Sequence, residues 1–242
     1  LKNKGADKDI FYAYGISADL ITDCSGAGLI RVESLDNIEK IENWDKLKAD
    51  ELASKLSVRY IATGSLWKMD DIFQLTIELY DTKLSKIIWS DRWEESWDNL
   101  PSIKGNLSDG LLKALDTKPK VEKKLEFTNT QAYEYYLKGW YKYEKRENKE
   151  DMEIARELIK RAIELDENLI AAKIMMGITY FEIGDYDNAI GFYTSALKQA
   201  EGLGDKKGIA NALNRLGIIT RIVDNPNKAL ELYNRAHKIR EE

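Results

Sequence analysis

The stretch GDYDNAIGFYTSAL, residues 184–197, decides the fold of the second half of this chain. Its small and aromatic residues recur at the spacing of one helix face, at Ala189, Tyr193 and Ala196. Gly184 is typical of a residue that ends a helix in the left-handed conformation, and Asp185 is typical of a residue that caps the next helix. The stretch holds no nucleophile paired with a base, no metal-ligand pair and no phosphate loop. It therefore predicts a structural helix that follows a tight turn.

The pattern around this stretch recurs along the chain. One copy consists of Met176, Gly177, Tyr180, Ala189, Tyr193 and Ala196. A second copy follows at the same spacing, as Leu216, Gly217, Thr220, Ala229, Tyr233 and Ala236. An earlier copy with a longer connection contains Gly139, Ala155, Ile159 and Ala162. Before the last helix, Asn225 is the predicted cap and Pro226 the first helical residue.

This pattern resembles the tetratricopeptide repeat, a helix–turn–helix unit. The resemblance covers residues 129–242 and implies three repeats in an all-α array. A single hairpin of this kind cannot bury its apolar face, so neighbouring repeats have to stack. The last predicted helix has no capping helix after it. Two explanations remain open: further repeats follow in a parent protein, or a second copy covers the face as a homodimer.

In such arrays the first helix of each repeat lines a concave groove. The resemblance therefore implies a groove for a protein or peptide partner. Spacing from each repeat glycine gives the predicted partner-binding residues, Tyr133, Tyr136, Trp140, Tyr143, Ile174, Ile178, Phe181, Asn211, Asn214 and Arg221. The rings supply contact area and the polar groups supply orientation. In a competing interpretation, the linker, the first domain or a dimer mate fills this groove.

The first half mixes helix and strand patterns. Helices are predicted for residues 15–26, 43–57 and 102–115, and strands for residues 29–34, 58–69, 72–81 and 86–95. Asp70 and Asp71 suit a hairpin turn between two of these strands. The polar segment at residues 118–128 is a predicted linker. The first half is thus an α/β domain over residues 1–117 with a mixed sheet.

Several segments of this half resemble the TolB-like amino-terminal domain of multidomain bacterial signalling proteins. They are FYAYGISADLI (11–21), LIRVES (29–34), ELASKLSVRYIATGSLWKM (51–69), LTIELYD (75–81) and IIWSDRWEE (87–95). In such proteins the domain often lies between an output module and tetratricopeptide repeats. The output is a class III adenylate cyclase, a protein kinase or a winged-helix DNA-binding domain. The family pattern begins with an apolar strand, of which this chain holds only Leu1 and Lys2, so we expect the first strand to be missing.

The side chains that carry chemistry are sparse and scattered. The single Cys24 and the single His237 form neither a zinc site nor a nucleophilic pair. No phosphate-binding glycine motif occurs. We therefore predict no catalytic residue, no metal and no cofactor, and we expect this segment not to be an enzyme. The net charge is −5, which gives no basic footprint for nucleic acid.

The ends of the chain and its apolar runs complete the prediction. No run approaches the length that spans a bilayer, and no signal peptide is visible, so we expect a cytoplasmic segment without membrane contact. The start at Leu1 suggests a piece of a longer protein. The predicted function is a non-catalytic regulatory and protein-interaction segment of a signalling protein of the adenylate cyclase type. The alternative is the regulatory segment of a transcriptional regulator or protein kinase with its output domain upstream.

Overall fold

The computed structural model of this protein describes residues 1–26, 31–116, 129–223 and 225–241. The chain forms two compact units, Leu1–Lys120 and Val121–Glu242. The first unit is α/β and the second is a helical array, as the sequence predicts. The predicted linker at residues 118–128 lies outside the described residues.

The first unit is built on a sheet in which the described strands follow the order β1, β2, β3, β4. These strands are β1 (Lys2–Asn3), β2 (Tyr60–Met69), β3 (Ile72–Asp81) and β4 (Lys86–Ser96). β2, β3 and β4 form antiparallel hairpins, whereas β1 runs parallel to β2 and pairs only with Ser65 and Leu66. The first strand is therefore reduced to two residues, and Ala62 and Thr63 of β2 are exposed.

The helices of this unit are α1 (Ile10–Gly26), α2 (Leu35–Glu39), α3 (Ala49–Leu56) and α4 (Leu100–Ala114). One face of β3 is apolar and buried, and its side chains are almost completely inaccessible: Phe73, Leu75, Ile77 and Leu79. α4 packs against α1 and against β4, and the Trp97 ring meets Tyr12 at 4.4 Å and Phe73 at 5.6 Å between centroids. The strand predicted for residues 72–81 is thus confirmed, and buried residues alternate along it with more exposed ones because successive side chains point to opposite faces.

An ion pair closes the far end of the hairpin between β2 and β3. Arg59 donates through Nη2 to Asp81 Oδ2 at 2.7 Å, and the backbone amides of Lys83 and Leu84 donate to Asp81 Oδ1. The Arg59 hydrogen bonds are the largest cause that holds the pKa of Asp81 below its usual value. Asp81 therefore stays ionised and keeps the turn to β4 in place.

The predicted strand at residues 29–34 is wrong over its described part. Leu29 and Ile30 lie outside the described residues, and the segment from Arg31 to Ser34 forms no strand. Instead, the Ser34 hydroxyl accepts a hydrogen bond from the Asn37 amide and caps α2. A strand is stabilised by backbone hydrogen bonds to a neighbouring strand. Ser34 instead forms a local hydrogen bond that starts a helix, which competes with strand formation.

The predicted helix at residues 43–57 is interrupted. Asn43 adopts a left-handed conformation with φ of 54°, and Leu47 and Lys48 are extended between a short 3₁₀ turn at Trp44–Lys46 and α3. The Glu51 side chain accepts a hydrogen bond from the Lys48 amide and starts α3 there. Leu52 of α3 is buried.

The second unit consists of three helical hairpins in its described part. They are α5 (Thr130–Glu144) with α6 (Lys149–Leu165), α7 (Ile170–Glu182) with α8 (Tyr186–Leu203), and α9 (Lys206–Ile222) with α10 (Pro226–Glu241). Each hairpin also packs on the next through α6 with α7 and α8 with α9. This is the stacked arrangement expected of a repeat array.

The predicted turn chemistry between these helices is confirmed. Gly184 has φ of +78°, and the Asp185 side chain accepts a hydrogen bond from the Asn188 amide at the start of α8. Asn225 likewise accepts from the Lys228 amide, and Pro226 is the first residue of α10. Left-handed glycine and an acidic or amide cap satisfy the backbone groups that a helix end leaves free.

The repeat glycines allow the two helices of a hairpin to touch. A Cβ built on Gly217 would lie 2.6 Å from the Tyr233 ring, and one built on Gly177 would overlap the Tyr193 ring. Tyr193 itself is only 1% exposed. The recurring glycine and tyrosine of the sequence pattern are therefore one packing contact, formed between the first and second helix of a repeat.

Candidate protein-interaction groove

The first helices of the three hairpins lie side by side in one layer. α5 contacts α7 and α7 contacts α9, while α6, α8 and α10 are the second helices of the hairpins. This places the ten residues that the sequence predicts as partner-binding on three adjacent helices. The structure shows where each of them lies, and their role in binding stays a prediction.

The aromatic end of this layer is formed by α5. Tyr133, Tyr136 and Tyr143 are at most 7% exposed, so they form the floor of the layer. Trp140 is half-buried, and its ring follows Tyr136 at a centroid distance of 5.5 Å. Trp140 is therefore the ring of this set that a partner can contact over a sizeable area.

The middle of the layer is apolar. Ile174 is buried, and Ile178 and Phe181 are half-buried and pack against the core formed by α7, α8 and α9. The Phe181 ring lies 5.7 Å from that of Tyr186. Because part of Ile178 and of Phe181 still faces solvent, this segment offers a shallow apolar surface rather than a deep pocket.

The polar end of the layer is formed by α9. Asn211 and Asn214 are half-buried, and Arg221 is exposed. Their side chains supply hydrogen-bond donors, and the amides supply acceptors as well. The layer thus changes from rings on α5 to amides and a guanidinium on α9, in the order that the sequence predicts.

A charged bridge joins the first two repeats at this surface. The Arg146 guanidinium lies 4.0 Å from the centre of the Tyr143 ring and donates to Glu182 Oε2 at 3.3 Å. It also donates to the Tyr143 carbonyl at 2.6 Å. The repeat pattern does not predict this bridge, because Arg146 lies in the turn after α5, outside that pattern.

The repeat pattern does not identify Arg215 as a candidate binding residue either. This arginine is half-buried on α9, two residues before Gly217, where the first two repeats carry Leu137 and Met175. A guanidinium at a position that is otherwise apolar is the sequence signal that would have found it.

Two tyrosines report the electrostatics of this region. Burial raises the pKa of Tyr143 to about 12, with Glu182 acting in the same direction and Arg146 and Arg215 opposing. Burial also raises the pKa of Tyr193 to about 12, which Arg215 opposes. Both hydroxyls therefore stay neutral at physiological pH. The charge of Arg215 acts on both tyrosines and opposes the rise in their pKa.

No group of three or more His, Cys, Asp or Glu side chains among the described residues is placed to hold a metal ion. None of the helices described for this chain has the length and apolar character needed to cross a membrane.

The second unit is a helical-hairpin repeat array of the tetratricopeptide type. Residues 168–242, which hold the second and third hairpins, match the family model described as Tetratricopeptide repeat. Among solved structures, the chain is similar to the crystal structure of MamA, with 20% identity and a TM-score of 0.39. That similarity covers 60% of this chain and 85% of the MamA chain. No curated protein matches the chain. The repeat match points to protein–protein interaction.

Proposed function

We propose that this chain is a non-catalytic regulatory segment of a larger cytoplasmic signalling protein and that its repeats bind a protein or peptide. The observation that carries the proposal is the layer of first helices, which exposes Trp140, Phe181 and Asn214 on one surface of three stacked hairpins. A partner segment laid across this layer contacts rings at one end and amides at the other. Loss of the Trp140 ring is the change that tests binding most simply.

The proposed parent protein is of the adenylate cyclase type. Support comes from the resemblance of the first unit to the TolB-like domain, combined with the repeats that follow it. The alternative parents are a protein kinase and a transcriptional regulator, since the same pair of domains accompanies those outputs. Self-association through the repeats is a second proposed mode, because large apolar side chains of the last hairpin are exposed at Ile222, Val223 and Leu230.

The reading frame on the 5′ side of the codon for Leu1 tests the parent protein. We expect genomic sequencing to show a class III cyclase catalytic domain in the same frame. A kinase or winged-helix domain there would instead favour the corresponding alternative. A catalytic domain whose active site requires residues of this chain would contradict the non-catalytic role.

A further inference from the structure

The third of the groove helices differs from the other two in charge. α5 carries two cations and two carboxylates and α7 carries one of each, so each has a net charge of zero (2 − 2 and 1 − 1). α9 carries four cations and no carboxylate, a net charge of +4 (4 − 0). These cations are Lys206, Lys207, Arg215 and Arg221. The positive charge of the layer is therefore concentrated at its polar end.

The charged groups of α5 and α7 are satisfied within the array. Lys138 pairs with Glu134 at 2.6 Å on α5 itself, and Lys142 pairs with Asp151 of α6 at 2.6 Å. The remaining charged groups of the two helices also have partners. Glu144 accepts from Trp140 Nε1, Lys173 donates to Gln199, and Glu182 accepts from Arg146. Each charged group of these two helices therefore has a hydrogen-bonding partner within the array.

Three cations of α9 have no such partner. The side chains of Lys206, Arg215 and Arg221 form no hydrogen bond or ion pair with another residue of the described part of the chain. Arg215 is half-buried and Arg221 is exposed. An unpaired guanidinium presents a planar fork of N–H donors that suits a carboxylate.

Three of the four α9 cations share a face of the helix with the predicted amides. Lys207, Asn214 and Arg221 are spaced seven residues apart, which places them in one line along the helix. Asn211 and Arg215 lie beside that line. The opposite side of α9 buries Ala212 and Ile219 in the core with α7 and α8, and Gly217 contacts Tyr233 of α10. The α9 stripe is defined as Lys207, Asn211, Asn214, Arg215 and Arg221.

We propose that the α9 stripe binds an internal acidic segment of the partner, through side-chain carboxylates that accept hydrogen bonds from Arg215 and Arg221. This inference rests on the proposed function, because it names the chemistry of the partner for the same groove. The partner's carboxylates supply the acceptors that Arg215 and Arg221 lack, and the amides of Asn211 and Asn214 hold the adjoining backbone. The segment lies with its acidic part on the third repeat and its apolar part towards the rings of α5.

The test uses the full chain and a fluorescein-labelled peptide of repeated Glu-Ser, acetylated and amidated so that it has no terminal charge. Fluorescence anisotropy is expected to show binding of this peptide, weakening steeply as salt is added, and no binding of the matched Gln-Ser peptide. Substitution of both Arg215→Gln and Arg221→Gln is expected to weaken binding by about tenfold or more. The matched control changes two exposed lysines off the stripe, Lys198→Gln and Lys238→Gln, and is expected to leave binding within about twofold.

Three outcomes would overturn the inference: no binding of the Glu-Ser peptide, equal binding of the Gln-Ser peptide, or an equal loss in the control variant. Circular dichroism of each variant shows whether the array is still folded, and Arg221→Gln alone, at an exposed position, provides a variant that leaves the core untouched. The natural partner's dependence on Trp140 is measured separately. If that dependence holds while the acidic peptide fails to bind, the acidic ligand is wrong and the proposed groove remains.

Discussion

Replacement of Gly177 by valine is expected to destabilise the helical array by about 3 kcal/mol, because a closely packed interior does not accept added volume. The glycine lies on α7 against the Tyr193 ring, and even a single Cβ there overlaps that ring. Tyr193 is 1% exposed, so its ring has no free space into which it can move. Urea unfolding followed by circular dichroism measures the change.

The matched control is Gly191→Ala on α8. Gly191 is exposed, and a Cβ built there meets no atom within 4 Å. The substitution is expected to stabilise the array by about 0.5–1 kcal/mol, the ordinary gain from replacing a glycine inside a helix. Both glycines lie inside helices. A loss of stability at Gly177 and a gain at Gly191 would therefore isolate the effect of the Tyr193 contact.

A second substitution checks the cause of the loss. Tyr193→Leu reduces the volume at the contact and is expected to cost less in the Gly177→Val background than in the wild-type chain. If Tyr193→Leu lowers the free energy of unfolding equally in both backgrounds, or if Gly177→Val is as stable as the wild-type chain, the packing contact between Gly177 and Tyr193 is contradicted.

Replacement of Trp140 by alanine is expected to weaken binding of the partner by about 30-fold, equivalent to about 2 kcal/mol, the loss typical of a large aromatic residue at the centre of an interface. Trp140 is half-buried and continues the ring series of Tyr133 and Tyr136, which are buried. The measurement is the recovery of co-purifying proteins with a tagged full chain, quantified by mass spectrometry.

Tyr135→Ala is the matched control for this loss. Tyr135 is half-buried on the opposite side of α5, where the ammonium of Lys138 lies 5.7 Å from its ring centre. Its removal deletes a ring of comparable exposure without changing the groove. A partner that is lost from both variants, or from neither, would argue against the groove as the binding surface.

The repeats were predictable because their signals are local. The spacing from Gly177 to Tyr193 reports a contact inside one hairpin, and the same spacing recurs from Gly217 to Tyr233. The turn at Gly184 and Asp185 depends only on neighbouring residues. The hairpin strands β2, β3 and β4 were predictable for the same reason, since the Asp70 turn joins partners that are adjacent in sequence.

Features that depend on distant partners were not predictable. The alternation at residues 29–34 is compatible with a strand, but from Arg31 to Ser34 no ladder forms and Ser34 caps a helix instead. The extended residues Leu47 and Lys48 interrupt the helix predicted for residues 43–57. In the groove, the residue spacing identifies the helix face but not how far each side chain is buried. The structure was needed to show that Tyr133 and Tyr143 are buried whereas Trp140 is only half-buried.

The central claim, that the layer of first helices binds a protein, is tested most directly by site-specific photo-crosslinking. Benzoylphenylalanine is placed at Trp140 of α5, at Asn211 of α9, or at the exposed Lys160 of α6 as the control on a second helix. Crosslinking is carried out in cells that express the full-length parent. The account predicts a conjugate with the same partner from positions 140 and 211 and none from position 160. A conjugate confined to position 160, or equal yields from all three positions, would contradict it.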